Sequence, residues 1–531
     1  MSASFSISRR QLIKSAAAAG ALSYTYLQGS GQAFAQQAKR LIVGVTPPAT
    51  QATLGFMTET EGSGPLQPMY EFLTMSDRFT GAIGPNLASE WQSSADAKQW
   101  HLKLRPDVTF HNGKPFTAQD VVKSWELLTL EDSRATTASY FRKLIASADS
   151  FEIVNDHEIV FHLERAEPEL PYYLSQAQGF IIYSKDYWDS VGRDGYAANP
   201  IGTGPFKFVE FRVDQYILYN RVENHWRQTP EFAELQIMYM PEDATRLAAL
   251  LAGEVHIAEI SRSLQNQAVA RGKQIVTSTR PAASISARFG GNYLNPKGEP
   301  GPLANKLVRQ AMNLAVNRDE INQQIFGGRG TPAAVEGFQS TDPEFDPAWT
   351  PYPFDPDQAK ALLTQAGYAN GFSFDMTVVT PTGFPELPTV VEAMGIYFTN
   401  IGLSPNLVQM EFADQNNRQR AADFYNTLYS GRNSVRPLFR AMEYFSSKGI
   451  YHFFEDPYLE QRVDSFAKSL DPKERSGLIK EVGDFLYKNY ADISLLNLYA
   501  EIAVDPTVVA EYKADIGAFG ASIGHEYTKA A

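Results

Sequence analysis

The segment from Asn199 to Phe211 places the firmest constraint on how this chain folds, and it reads N-P-I-G-T-G-P-F-K-F-V-E-F. Its prolines and glycines break helices and permit a tight backbone turn. From Phe206 onward, apolar and polar residues alternate, which is typical of a β-strand. The segment therefore predicts a loop that enters a strand. A phosphate-binding loop fits poorly, because the third glycine of a dinucleotide fingerprint and the helix after it are both missing.

The N-terminus has the pattern of an export signal. Residues 8–14 read S-R-R-Q-L-I-K, which is close to the twin-arginine motif, and A-F-A at 33–35 is a suitable cleavage site. The mildly apolar stretch between them is shorter than the roughly 20 residues that span a bilayer, which favours a cleaved signal over a membrane anchor. We therefore expect a signal peptide over 1–35, cleavage near Ala35, and a mature protein released into the periplasm.

Composition excludes several classes of protein. The 531 residues are 44% hydrophobic and 12% aromatic, enough for two or three domains with large cores. The net charge of -13 argues against a nucleic-acid or anionic-membrane partner, since either would require a basic face. The chain has no cysteine, so disulfides, thiolate metal sites and cysteine nucleophiles are impossible.

Local patterns predict an alternation of strands and helices. Leu41–Val45 is typical of a buried strand, and Thr109–His111 of a strand before the Asn-Gly turn. Thr117 is placed to cap a helix over 118–130. Leu303–Phe326 has the pattern of one amphipathic helical region, and residues 426–430 form a short strand that Gly431 should end. The alternation in the second half predicts an α/β domain.

Three ordered blocks resemble the peptide/nickel type of extracytoplasmic solute-binding proteins, which serve ABC importers. The blocks are G-T-G-P-F-K-F at 202–208, the strand–loop–helix stretch Trp100–Trp125, and the helix Val308–Ile321. The resemblance extends over nearly the whole mature chain. It implies a small-molecule solute, either an organic anion or a peptide, an ABC permease and ATPase as partners, a monomeric receptor and no cofactor.

The family fold implied by this resemblance is α/β, a two-lobed periplasmic binding protein of the Venus-flytrap type, with an extra subdomain inserted in the first lobe. Two crossing strands join the lobes, and ligand binding between them closes the structure. The expected boundaries are 36–83, 197–282 and 500–531 for the main sheet of lobe I, 84–196 for the inserted subdomain, and 283–499 for lobe II.

No motif predicts catalysis. Residues 520–524 match G-x-S-x-G, but only His525 follows, and the segment lacks the strand–turn–helix context of a nucleophile elbow. His111, His157 and His162 are spread without metal-ligand spacing, so we expect no metal. A binding protein is favoured. A periplasmic hydrolase or chaperone on the same fold remains the alternative of a different class.

The choice of ligand depends on two segments. In dipeptide-binding relatives, the resemblance implies an acidic residue just after the strand at 426–430 and an arginine in the loop at 380–388. Here the first segment reads Gly431-Arg432-Asn433-Ser434-Val435-Arg436, and the second has no basic residue. A guanidinium repels a peptide's ammonium group but offers a two-pronged contact to a carboxylate or phosphate.

These differences favour an anionic or non-peptide solute over a peptide, with a nickel chelate as a weaker third possibility. The candidate ligand residues are Arg432, Asn433, Arg436, Arg288, Tyr429, Phe384 and Phe56. The arginines would hold an anionic group, and the aromatic residues would form apolar walls. The competing interpretations are arginines paired with nearby carboxylates and aromatic residues that belong to the core.

Overall fold

The computed structural model describes most of the chain after the N-terminal segment. The described residues are 40–47, 64–77, 81–133, 135, 137–176, 178–294, 301–381, 384–434, 438, 442–447, 449, 451–514, 521 and 524–531. The expected signal peptide, Phe56, Arg436 and most of the G-x-S-x-G segment lie outside these ranges.

Strands and helices alternate along the described chain. The first strands are β1 (Arg40–Val45), β2 (Thr74–Ser76), β3 (Ile83–Pro85), β4 (Ala88–Ser93), β5 (Gln99–Leu104), β6 (Phe151–Asn155), β7 (Glu158–His162), β8 (Phe206–Arg212), β9 (Tyr216–Arg221) and β10 (Glu234–Tyr239). The later strands are β11 (Ile257–Ala258), β12 (Gln274–Phe289), β13 (Thr331–Pro332), β14 (Ser373–Val378), β15 (Ser404–Gln409), β16 (Thr427–Ser434), β17 (Asp492–Val504), β18 (Val509–Glu511) and β19 (Lys529–Ala530).

The helices of the first half are α1 (Ala118–Leu128), α2 (Ala138–Leu144), α3 (Leu170–Tyr173), α4 (Lys185–Ala198), α5 (Asp243–Ala252) and α6 (Arg262–Ala270). Those of the second half are α7 (Lys306–Ala315), α8 (Arg318–Phe326), α9 (Pro356–Gln365), α10 (Leu387–Asn400), α11 (Phe412–Arg420), α12 (Pro457–Lys468) and α13 (Pro472–Lys488).

One mixed sheet runs through both lobes, in the order β15-β14-β16-β12-β17-β11-β1-β10-β9-β8. Strands β1 and β8–β11 belong to the first lobe, and β13–β16 belong to the second. The two central strands, β12 and β17, pair antiparallel from Gln274↔Val504 to Arg288↔Asp492 and so pass through both lobes. Helices cover the sheet, and the result is the two-lobed α/β fold that the sequence predicts.

The two crossing strands change register where they pass between the lobes. Three residues, 278–280, separate Thr277 from Pro281 on β12, whereas only Ala500 separates their partners on β17. Pro281 has no backbone N–H to donate to the ladder. Instead the Ser278 hydroxyl accepts a hydrogen bond from the Ala500 N–H at 3.0 Å. The β-ladder is therefore locally interrupted at the crossing, as expected of a bend between two rigid bodies.

A separate four-stranded sheet, β4-β5-β7-β6, forms the inserted subdomain. Alternate residues of β5 are buried, including Trp100, and pack against α1 and α2 in a core rich in aromatic residues. Thr117 caps α1 as predicted, and its backbone N–H donates to the Asp120 carboxylate at 2.8 Å. The predicted strand at Thr109–His111 is wrong: the structure has only an isolated bridge between Thr109 and Pro115.

Two expected elements differ from the structure in their limits. The helical region predicted over Leu303–Phe326 is two helices, α7 and α8, separated at Val316 and Asn317, and the Asn317 side chain accepts from the Glu320 N–H to start the second helix. Gly431 does not end the strand at 426–430. Strand β16 continues to Ser434, because β12 offers a continuous pairing edge from Ala283 to Phe289.

The glycine-rich segment before β8 forms the predicted turn and strand. Gly202 and Gly204 lie directly against the backbone of Met69, and β8 begins two residues later. A Cβ atom at Gly204 would stand 2.6 Å from the Met69 carbonyl carbon and 2.7 Å from the Pro68 oxygen. These glycines are therefore required by a close approach of two backbones.

Over the described residues, no helix combines the length and apolar character needed to cross a membrane. The same residues contain no group of three potential His, Cys, Asp or Glu ligands arranged to hold a metal ion.

We predict that Gly204→Ala destabilises the first lobe by about 1–3 kcal/mol, because the backbone of Met69 must move to admit the methyl group. Gly477→Ala in α13 is the matched control, since a methyl group added there would have no neighbouring atom within 4 Å. A helix-interior glycine-to-alanine change at that position should stabilise by about 0.5–1 kcal/mol. Thermal denaturation of both variants measures the difference. Equal melting temperatures would contradict the role given to Gly204.

Candidate ligand-binding site between the lobes

Strand directions identify where a ligand site should form. β1 and β11 are parallel to each other and antiparallel to β17, so they run in the direction of β12, from the first lobe towards the second. β14 and β16 run parallel to each other and antiparallel to β12, which directs them back towards the first lobe. The carboxyl ends of both sets therefore face the space between the lobes, where ligands of open α/β sheets bind.

Two charged residues meet across this space. Arg262 is the first residue of α6, which follows β11, and Glu386 immediately precedes α10, which follows β14. Their Nη1 and Oε1 atoms lie 3.6 Å apart. The side chains are only 11% and 16% exposed, so little water screens their attraction. This ion pair connects the first lobe with the loop of the second lobe in which the dipeptide-binding relatives are expected to carry an arginine.

Arg262 also contacts the crossing strand β17. Its Nε lies 2.7 Å from Glu501 Oε2, although the N–H is not aligned for a hydrogen bond, and Nη2 donates to the Tyr499 carbonyl at 3.1 Å. Arg329 reaches the same carboxylate at 3.4 Å. We name Arg262, Arg329, Glu386 and Glu501 the interlobe charge cluster. It brings two cations and two carboxylates to the carboxyl ends of the strands.

The sequence motifs did not predict this cluster. Its members are distant along the chain, and none lies in a motif. A usable signal existed nevertheless: Arg262 shortly follows the strand-like stretch V-H-I-A at 255–258, and charged residues just beyond parallel strands of an α/β sheet face the ligand site. Asking which charges follow each predicted strand would have found Arg262 and Glu386.

Phe384 lies in the core of the second lobe. It is 1% exposed and stacks on Phe326, with ring centroids 6.2 Å apart. The Arg262 guanidinium lies over the other aromatic ring of this stack, 5.6 Å from the Phe326 centroid. Phe384 thus supports the base of the interlobe charge cluster through Phe326, and its role as a wall of the ligand site stays a prediction.

Tyr429 is also fully buried, in β16. Its hydroxyl donates to the His452 carbonyl at 3.0 Å, and its ring stacks on Phe424 at 4.8 Å. Burial raises the pKa of the Tyr429 phenol well above its ordinary value, so the hydroxyl stays a neutral donor. These contacts give Tyr429 the environment of a core residue.

Arg288 forms an ion pair with a carboxylate of its own lobe. Its Nε lies 2.9 Å from both oxygens of Glu336, and Nη2 donates to Oε1 of the same side chain. The guanidinium also stacks on the Phe453 ring at 3.7 Å. Burial opposes the charge, but Glu336 outweighs burial, and the pKa of Arg288 is raised. The two-pronged contact that we expected for a ligand anion is made with Glu336.

A second carboxylate lies beside this pair. Asp492 is opposite Arg288 in the register of β12 and β17. Burial and the adjacent charge of Glu336 raise the pKa of Asp492 to about 7, against the opposing effects of the Ser494 hydroxyl, Arg288 and Arg318. Near neutral pH, this site therefore gains or loses a proton inside the second lobe.

Arg432 and Asn433 lie in the last part of β16, where their backbones pair with Ile285 and Ser284 of β12. They are strand residues and not loop residues, because β16 continues past Gly431. Their side chains are outside the described part of the structure, as are Arg436 and Phe56 altogether. Their contacts with a ligand stay predictions.

We predict that Asp492→Asn changes how stability depends on pH. A carboxyl whose folded-state pKa is raised binds its proton more tightly when folded, so stability from this group is full below about pH 4 and is lost as the pH rises towards 7. Asparagine stays neutral. The variant should therefore gain in melting temperature relative to the wild type between pH 5 and pH 8.

Asp107→Asn provides the control for this comparison, since Asp107 is exposed in a surface turn. Its melting curve should follow the wild type at every pH. A constant difference between Asp492→Asn and the wild type across this range would show that Asp492 does not titrate as described.

The chain is similar to known proteins over most of its length. The profile of the family "Bacterial extracellular solute-binding proteins, family 5 Middle" matches residues 82–451. The chain is 30% identical over 400 residues to heme-binding protein A of Haemophilus influenzae, covering 70% of this chain and 71% of that protein. It is 27% identical over 376 residues to the dipeptide-binding protein of Escherichia coli, covering 65% and 67%.

Among solved structures, NikA from Brucella suis in complex with Fe(III)-EDTA superposes with a TM-score of 0.77 at 20% identity, covering 93% of this chain and 100% of that one. The shared architecture is the two-lobed fold, and the family profile extends across the inserted subdomain and most of the second lobe. The chain belongs to family 5 of the bacterial extracellular solute-binding proteins.

Proposed function

We propose that this protein is the periplasmic receptor of an ABC import system, which captures a small solute between its lobes and delivers it to a membrane permease. Membership of the family supports this role. Binding, and not chemistry, is the activity: the ligand makes contacts with both lobes that exist only when the lobes are together, and these contacts drive closure. No residue is assigned a catalytic role.

We further propose that the solute carries an anionic group and is not a simple peptide. The observation that carries this proposal is the Arg262–Glu386 pair, 3.6 Å apart between the lobes. A carboxylate from the second lobe already accompanies Arg262 in the closed cleft, and a ligand carboxylate could take the same place. Arginine suits this task, because its planar guanidinium can hold both oxygens of a carboxylate.

The loop that contains Glu386 argues against a dipeptide bound in the manner expected for relatives. There, an arginine would attract the carboxylate of the peptide, whereas here the loop has no basic residue and its Glu386 is paired with Arg262 of the first lobe. Arg432, in β16, would in turn repel the peptide's ammonium group. Neither segment therefore carries the charge expected to hold its end of a peptide.

The relatives do not decide between ligands by themselves. Their names and titles include heme, a dipeptide and an Fe(III)-EDTA chelate. A peptide receptor is therefore the alternative to be tested directly against the anionic solute.

A thermal-shift screen followed by calorimetry tests the proposal. The panel contains dipeptides and oligopeptides, organic acids, sugar phosphates, opine-like compounds, nickel chelates and heme. A ligand at 100 times its dissociation constant should stabilise the protein by about 2.7 kcal/mol. We expect an anionic compound to bind, and Arg262→Gln and Arg432→Ala to weaken it at least about tenfold, since a hydrogen bond to a charged group contributes about 1.5–3 kcal/mol.

Arg462→Gln is the matched control, because Arg462 pairs with Glu481 between α12 and α13, away from the cleft. It should leave the affinity unchanged. Peptides that bind equally well to the wild type, Arg262→Gln and Arg432→Ala would refute the anionic ligand and leave a peptide receptor. Turnover of any panel compound would contradict a receptor without catalysis.

A further inference from the structure

An ion pair also joins the inserted subdomain to the second lobe, and neither of its residues lies in a crossing strand. Glu169 belongs to the inserted subdomain, next to α3, and Arg475 lies in α13 of the second lobe. Arg475 Nη2 donates to Glu169 Oε1 at 3.1 Å. Within the described ranges, this is the one ion pair between the inserted subdomain and the second lobe. The residues are 306 positions apart in sequence.

Contacts within the second lobe hold the Arg475 side chain in position for this ion pair. Its Nη1 donates to the carbonyls of Phe466 at 2.9 Å and Ser469 at 3.2 Å, and its guanidinium stacks on the Phe466 ring at 3.7 Å. These contacts all lie within α12, α13 and their connection. They fix the guanidinium in place and leave Nη2 directed at the inserted subdomain, so forming the pair costs little side-chain entropy on this side.

The surroundings of Glu169 favour a cation close to its carboxylate. Its own backbone N–H donates to Glu167 Oε1 at 3.2 Å, which places a second carboxylate close by. Burial raises the pKa of Glu169, and Arg475 opposes that rise. Glu167 is separately engaged by the Tyr140 hydroxyl at 2.6 Å and by Arg165 at 3.7 Å. When the lobes separate, Glu169 loses the only cation with which it forms an ion pair in the described structure.

From this geometry we propose that Glu169 and Arg475 form a closure latch, which sets the affinity for the solute without touching it. This inference rests on the proposed receptor function, in which the ligand binds between lobes that close. The pair exists only when the inserted subdomain and the second lobe are in contact. Its interaction energy therefore favours the closed form, and the observed affinity is proportional to the fraction of molecules that can close.

The position of the latch strengthens its effect on closure. In the interlobe charge cluster, Arg262 and Arg329 both contact Glu501 of a crossing strand, so part of that cluster is tied to the strands that join the lobes. The Glu169–Arg475 contact involves neither crossing strand and must break as the cleft opens. Because Glu169 keeps about a third of its side-chain surface exposed, water can replace part of the interaction, and the effect should be moderate.

The absence of cysteine provides a direct test that needs no ligand. Spin labels are attached at Ser93→Cys in the inserted subdomain and Gln365→Cys in the second lobe, both exposed positions, and the distance between them is measured by pulsed electron spin resonance. In the ligand-free full chain, Glu169→Gln should lower the ratio of closed to open molecules about three- to tenfold, the change expected for losing one partly exposed charged contact. The distance distribution should shift to longer values.

Three further proteins make the result decisive. Glu481→Gln removes a carboxylate from an ion pair inside the second lobe and should leave the distances unchanged. Glu169→Arg should open the protein further by repulsion, and combining it with Arg475→Glu should restore closure in part. Circular dichroism confirms that each variant is folded. If Glu169→Gln and Glu481→Gln give the same distances as the parent, the latch does not exist.

This outcome is separable from that of the ligand screen. An anionic solute can bind to a protein in which the latch fails, and the latch can hold in a protein whose solute is a peptide. Once a panel compound binds, Glu169→Gln should weaken it by the same factor that the distance measurement gives for closure. A weaker affinity with unchanged distances would also overturn the latch.

Discussion

The antiparallel pair of β12 and β17 is the interaction on which the rest of the structure depends. Every strand of the second lobe's sheet reaches the first lobe only through this pair, because β16 and β13 are bonded to β12 and β17 while β11 and β1 continue on the other side. The pair is long and mostly regular, so it holds the lobes in one sheet. Its one large register shift, beside Pro281, lies between them.

This arrangement lets one sheet extend through two lobes. At Pro281 the ladder lacks a backbone donor, and beside it the Ser278 hydroxyl, in place of a backbone carbonyl, accepts from the Ala500 N–H. A side-chain hydroxyl can follow a change in backbone angle more easily than a ladder of amides. The pairing of β12 with β17 resumes on both sides of this point, with one further register shift between Ile285 and Ser286. The largest interruption of the ladder is thereby confined to a few residues between the lobes.

Although the chain is acidic overall, several of its arginines have structural roles in the second lobe. Arg309 donates to the carbonyls of Asn489 and Tyr490, and Arg318 to that of Ser494 at 2.6 Å. Burial lowers the pKa of each of these two guanidinium groups to about 10. Together with Arg288 and Arg475, they hold helices and strands of the second lobe in place. An arginine in this sequence can therefore have a structural role, and the groups that it contacts in the folded protein show whether it does.

The partners of these arginines are the part of the structure that the sequence could not predict. The turn at Gly202 and Gly204, the capped helix α1 and the two-lobed fold follow from local patterns and the family resemblance. The continuation of β16 past Gly431 does not, because a pairing edge supplied by β12 overrides the local preference of glycine. Nor do the pairs Arg288–Glu336 and Arg262–Glu386, since they join residues that are distant in the chain. The sequence contains these charged residues, but it does not show which of them pair in the folded protein.

Two of the contacts between the lobes, those of Arg262 and of Arg475, differ in what they can control. Arg262 lies at the carboxyl ends of the strands and pairs with Glu501 and Glu386, so under the proposed function its charge lies where the solute would bind. Arg475 is tied to its own lobe and meets Glu169 only when the cleft is shut. The first contact can select a solute by its charge, whereas the second cannot distinguish solutes at all. Separating selection from closure in this way would let the affinity change through Glu169 or Arg475 while the choice of solute stays with the cleft.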